Sequence, residues 1–108
     1  MEIKSIADAL ADKGLALYTN EYFAEGRRMA YELAEEIKQE ILRRGEHTVE
    51  FYDRIDGVYI VIDGKEPGID INAFNRYDIV IGEENPEIFV PGCDTIEDIV
   101  DAALKAIE

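Results

Sequence analysis

Cys93 is the one thiol of the chain, and it stands in Pro91-Gly92-Cys93-Asp94, just ahead of a run with helical spacing. Free N–H groups and the dipole at a helix N-terminus stabilise a thiolate, so this is where a nucleophilic or redox cysteine would sit. Asp94 beside it acts in the opposite direction, and no second cysteine is present to resolve a disulfide. A small residue filling a tight strand-to-helix turn accounts for the same four residues. His47 is also single, so a Ser-His-Asp triad or a multi-histidine metal site would have to be built around it alone. Its place between a helix and a strand reads as an ordinary histidine satisfied at the surface. One cysteine excludes an internal disulfide and any metal site made of two or four thiolates of this chain.

Oxygen ligands are plentiful. Asp53, Asp56, Asp63, Asp70 and Asp78 fall at strand ends and turns, where carboxylates could meet Ca²⁺ or Mg²⁺. The EF-hand spacing is missing, Asp70-x-Asn72 being the nearest fragment. Turn carboxylates in water are the simpler reading, and no cofactor or dedicated metal is expected. Asp63-Gly64-Lys65, with Asp53 ten positions earlier, is similar to the acidic-x-Lys element of metal-dependent nucleases of the restriction-endonuclease type. That resemblance implies Mg²⁺ between the two carboxylates and Lys65 near the attacking water. It covers three residues, and Asp-Gly-Lys is equally an ordinary turn. Arg27 and Arg28, with Tyr18, Tyr22 and Tyr31, gather positive and aromatic groups near Gly26. They form either a small-anion pocket or salt bridges to the chain's own acids, and the acid excess favours the second.

That excess is the dominant chemical feature. The chain holds 25 acidic and 11 basic residues, a net charge of −14. Fifteen of the acids follow residue 46, against four bases, Arg54, Lys65, Arg76 and Lys105. Glu83, Glu84, Glu87, Asp94, Glu97, Asp98 and Asp101 occur with no base between them. The last four follow i, i+3, i+4, i+7 and make one stripe on a helix. These seven are the expected partner-binding residues, since carboxylates in register imitate a phosphate backbone and attract basic surfaces. Plain solubility is the other reading of the same charge. A pI near 4.3 argues against direct binding of nucleic acid or anionic membrane, which requires Lys and Arg.

The elements that must position these groups follow from periodicity. Ser5 and Asp8 open a short helix that Gly14 ends, with Leu15 packing back in a Schellman contact. A long helix spans about 20–44, with Phe23, Ala30, Ala34, Ile37 and Ile41 on one stripe. Residues 48–53 and 58–63 read as a hairpin, joined by an Asp56-Gly57 type I′ turn or by a four-residue loop, 54–57. Either connection puts Val49, Phe51, Val58, Ile60 and Ile62 on one face and Tyr52, Tyr59 and Val61 on the other. Residues 64–75 read as loop with a short strand at Ile69–Ile71, because Gly64, Pro67 and Gly68 interrupt them. Strands are expected at 77–82 and 87–90. A final helix is capped either by Asp94 with Glu97 or by Thr95 with Asp98.

The expected fold is therefore a single α+β domain, residues 1–108. Its antiparallel sheet of three to five strands packs against the long helix and the C-terminal helix, in the order α-α-β-β-β-(β)-α. Neither a signal core nor a membrane span is visible, which suits a cytoplasmic protein. The expected function is a small, acidic, non-enzymatic interaction domain that engages a basic protein surface. Its sharpest form is an inhibitor or immunity-type protein, a nucleic-acid mimic that blocks a nucleic-acid-binding enzyme. An enzyme using Cys93 or an aspartate-bound cation is the alternative. A structural domain that pairs through Tyr52, Tyr59 and Val61 is the third class.

Overall fold

The computed structural model describes residues 2–55, 57–72, 79–82 and 86–108. Helix α1 (Ile6–Asp12) opens where the sequence predicts, with the Ser5 hydroxyl accepting from the Asp8 N–H. It closes in a Schellman turn. Gly14, at φ +70°, donates its N–H to the Ala11 carbonyl, and the Leu15 N–H reaches Leu10. This conformation has φ > 0, which glycine adopts without a Cβ clash.

Helix α2 (Asn20–Arg43) is capped one residue before Asn20, by the Thr19 hydroxyl accepting from the Tyr22 N–H. Gly26, Ala30, Leu33, Ala34, Ile37 and Ile41 are buried along it at helical spacing. Near its end Glu40 is only 9% exposed, and its carboxylate takes both Arg43 and Arg44, the latter at 2.7 Å. Arg44 also reaches Asp101 and the Glu97 carbonyl of helix α3 (Ile96–Ala106). One guanidinium thus compensates a nearly buried carboxylate and ties two helices together.

The sheet is an antiparallel meander in sequence order: β1 (Val49–Asp53), β2 (Gly57–Ile62), β3 (Lys65–Asn72), β4 (Ile79–Ile81) and β5 (Glu87–Phe89). Val49 pairs with Ile62, Phe51 with Ile60 and Asp53 with Val58, so the expected facing holds. With Asp53 opposite Val58, that register does not fit a two-residue turn at 56–57; the Arg54 N–H bonds the Gly57 carbonyl, and Asp56 lies outside the described residues. The I′ turn lies instead at Asp63-Gly64, where φ is +56° and +67° and Ile62 pairs with Lys65.

Residues 64–75 need the larger correction. Most of this stretch is β3, which pairs on both sides, with β2 and with β4. The pairing slips between Ile60 and Ile62, so Glu66, Pro67 and Gly68 together oppose Val61. A bulge of this kind accommodates a proline that has no N–H to give the ladder. Of the strand expected at 77–82, Ile79–Ile81 is observed, and Tyr77 and Asp78 lie outside the described residues. The Thr95 capping box is the one that forms at α3, its hydroxyl accepting from Asp98 N–H while Asp98 accepts from Thr95 N–H.

Alternation along the strands turns Val58, Ile60, Ile62, Ile69, Ile71 and Ile79 to one face, where all are at most 1% exposed. They share a hydrophobic cluster with Leu10 of α1, Ile37 and Ile41 of α2, and Ile99 and Val100 of α3. Each such side chain contributes roughly 1.5–3 kcal/mol through burial. The helices pack on this face, which leaves the opposite face to present its own side chains. Among the described residues no helix is long and apolar enough to cross a membrane.

The β2–β3 register has a direct test. Gly57 pairs with Asn72, and a Cβ at Gly57 would fall on the Ile71 carbonyl oxygen and 2.9 Å from its carbon. Gly57→Ala is expected to lose about 3 kcal/mol of stability, measured by urea unfolding. An unchanged midpoint would contradict the register.

Candidate functional site

Five residues on the outer face form a row across the whole sheet. Tyr52 pairs with Tyr59, Tyr59 with Asp70, Asp70 with Val80, and Val80 with Ile88. Tyr52 and Ile88, near its two ends, are 51% and 54% exposed. A groove of about 1190 Å³ runs over this face toward the C-terminal end of α3, lined by Tyr52, Tyr59, Val61, Pro67, Val80 and Ala102 among others. Val61 is on the outer face too, yet only 8% exposed, so the groove has an apolar floor.

Tyr59 gives the groove its shape. A Cβ at Gly68 would lie 2.7 Å from two of its ring atoms, so the ring rests on β3 where only a glycine leaves space. Its hydroxyl accepts from the Gly68 N–H at 2.9 Å and donates to Glu66. The Arg54 guanidinium stands 4.9 Å from the ring centroid, within cation–π range. On the neighbouring strand the Tyr52 hydroxyl donates to Glu50 at 2.9 Å. Both hydroxyls are harder to ionise than an ordinary tyrosine. For Tyr59 burial is the main cause, followed by Glu66. For Tyr52 it is the bond to Glu50. Glu50 and Glu66 are thus bonded by neutral hydroxyls, with Arg54 the cation that acts on Tyr59 beside Glu66.

The seven expected partner-binding acids are dispersed. Glu83 and Glu84 lie outside the described residues. Glu87 lines the groove, beside Lys105 and the last turns of α3. Asp94 accepts from the Val90 N–H at 2.8 Å, and its own carbonyl accepts from Ile3. Asp98 completes the helix cap, and Asp101 pairs with Arg44. Glu97, in the first turn of α3, is held below the usual carboxylate range, chiefly by the helix backbone. Asp94, Asp98 and Asp101 of the i, i+3, i+4, i+7 series each make a contact within the fold, and Glu87 lies toward the other end of α3.

The remaining candidates separate likewise. Asp53 pairs with Val58 at one end of the β1–β2 ladder, while Asp63 follows Ile62 at the other. Asp53 accepts from the Tyr31 hydroxyl. Asp63 accepts from Thr48 N–H and meets His47 Nδ1, both at 2.8 Å, and His47 is the main reason its carboxyl is held below the usual range. The two carboxylates of the nuclease-like element are not brought together. Asp56 and Asp78 lie outside the described residues. Among the described residues no three of His, Cys, Asp and Glu are grouped to hold a metal. Cys93 is exposed in the turn before α3, its N–H bonded to the Val90 carbonyl. Arg28 bonds Glu25 and Glu32, as the acid excess favours, and with Lys13 it pulls the Glu25 carboxyl down to about 2.

Periodicity alone puts Tyr52, Tyr59 and Val61 on one face, whereas Glu66 and Gly68 carry the composition of a loop and are not legible as part of it. The available signal was the apolar alternation Ile69, Ile71 running straight out of Pro67-Gly68. No protein-family model matches the chain, and no curated protein or solved structure matches it either.

The tyrosine–carboxylate pairs carry a pH signature. Because the folded protein raises both hydroxyls above their ordinary value near 10, their contribution to stability is complete below that pH. It is lost as pH rises through the folded values. In a titration followed by tyrosinate absorbance, Glu66→Gln is expected to bring Tyr59 down toward its ordinary value, and Tyr59→Phe to delete that late component. An unaltered curve in Glu66→Gln would contradict the pairing.

Proposed function

We propose that this chain is a non-enzymatic interaction domain whose outer sheet face engages a basic protein surface. The observation that carries the reading is the Tyr52–Tyr59–Asp70–Val80–Ile88 row, with Glu50 and Glu66 bound to neutral hydroxyls at its tyrosine end. Tyrosines on one side of Asp70 and apolar residues on the other, with carboxylates among them, supply the aromatic enrichment of a protein interface. Tyrosine suits it because one side chain offers both apolar area and a polar tip. A net charge of −14 steers basic partners toward the chain and repels nucleic acid and anionic lipid. A second copy is a poor occupant, since two chains of this charge repel each other.

The matching partner class is a Lys- and Arg-rich surface, of the kind nucleic-acid-binding proteins carry for phosphate contacts. Covering such a surface is the activity of an inhibitor or immunity-type protein, and that is the form of the proposal with the clearest consequence.

The test compares two variants of equal charge. Glu50→Gln/Glu66→Gln/Asp70→Asn removes three charges from the outer face, and Glu32→Gln/Glu35→Gln/Glu36→Gln removes three from exposed positions of α2. Partners captured by the immobilised wild type from its native cells should elute as salt rises through about 0.1–0.5 M. The outer-face triple should lose them and the α2 triple should keep them. Equal loss in both variants would reduce the interaction to unspecific charge and overturn the assignment of this face.

A further inference from the structure

We infer that the half-exposed Tyr52, with Glu50 and Glu66 acting on its hydroxyl, is a subsite for one arginine side chain of an extended basic segment, and that Arg54 is the chain's own counterpart of that arginine. The inference rests on the proposed engagement of a basic partner and names what the outer face would hold.

Arg54 supplies the first observation. Its guanidinium stands over Tyr59, whose hydroxyl carries Glu66. A planar cation over a tyrosine ring, with a carboxylate bonded to that ring's hydroxyl, is therefore already built once on this sheet. Tyr52 is the second ring of the same construction. It is the direct cross-strand partner of Tyr59, and its hydroxyl is bonded to Glu50 as that of Tyr59 is to Glu66. Glu66 also acts electrostatically on both hydroxyls. The difference lies in what is left open, for Tyr52 is 51% exposed.

Along the groove Glu66, Asp70 and Glu87 outnumber Arg54 and Lys105, so charge complementarity selects a cationic occupant. A cation is drawn to the negative face of a tyrosine ring, and adjacent carboxylates add a Coulombic contribution. Guanidinium fits better than ammonium because it stacks flat and is more weakly hydrated. The groove continues past this subsite over Val61, Pro67 and Val80. Five strands about 4.8 Å apart span roughly 19 Å, the reach of about six extended residues. An extended segment with arginine at one position and apolar side chains beyond it fills this length.

The probes are an N-acetylated, C-amidated hexapeptide with one arginine near its end followed by alternating valine and threonine, and its lysine counterpart, titrated calorimetrically at low ionic strength. The arginine peptide should bind more tightly than the lysine peptide. Tyr52→Leu, which keeps apolar bulk and net charge, should weaken arginine-peptide binding roughly two- to fivefold with unfolding unchanged. Arg54→Gln should tighten binding by more than Lys4→Gln, an equal charge change at a residue that does not line the groove. If Tyr52→Leu binds like wild type, or Arg54→Gln and Lys4→Gln behave alike, the subsite is overturned while the broader reading stands. If neither peptide binds but the outer-face triple still loses captured partners, the subsite alone fails. If neither peptide binds and the outer-face triple loses nothing, both fail.

Discussion

The outer face depends on one close approach, that of the Tyr59 ring to the backbone of Gly68. With any other residue at position 68 a Cβ would lie 2.7 Å from the ring and collide with the Ile60 carbonyl across the strand pair. The glycine lets β3 approach β2 at a bulge and gives the Tyr59 hydroxyl a backbone donor. Holding Tyr59 there keeps Glu66 beside it and offers a ring face to Arg54. The bulge also takes up Pro67, which a regular central strand would exclude. One local contact thus reconciles a strand with the two residues that most strongly argue against it.

The acidic residues divide by the donors they meet. In α2 and at its junction with α3, Glu25, Glu32, Glu40 and Asp101 meet arginines, and there the charges hold the helices in place. At the start of α3, Asp94 and Asp98 meet backbone N–H groups and define the turn and the cap. On the sheet, Glu50 and Glu66 meet tyrosine hydroxyls. Asp53 meets the Tyr31 hydroxyl in the same way, and at Glu66 the nearby cation, Arg54, stands over the Tyr59 ring and not on the carboxylate. The electrostatic distinction of the outer face therefore comes from the kind of partner each carboxylate has, which counting acids along the chain does not capture.

Much of the fold was legible because it rests on short-range signals. The caps at Ser5 and Thr95, the Gly14–Leu15 turn, the stripe of α2 and the alternation of β1 and β2 are each written within a few residues. What was not legible depends on tertiary context. Asp-Gly occurs twice, at 56–57 and 63–64, and nothing local says which one makes the tight turn. The register decides it, since Asp53 must face Val58. Gly57 and Gly68 read as turn residues because glycine commonly serves there, whereas here each makes room for a neighbouring strand. The stripe on α3 was legible as geometry. Its contact with α2 was not, because Arg44 lies 57 residues before Asp101 in sequence.

A basic partner is proposed to dock on the outer face of the sheet and not on the helical layer. Amide chemical-shift mapping of the labelled protein during titration with an arginine-rich peptide distinguishes the two. The largest shifts are expected on Tyr52, Tyr59, Gly68, Asp70 and Val80, with α2 and the first turn of α3 little changed. Shifts concentrated on Glu97, Asp98 and Asp101, or spread evenly over every acidic residue, would contradict it.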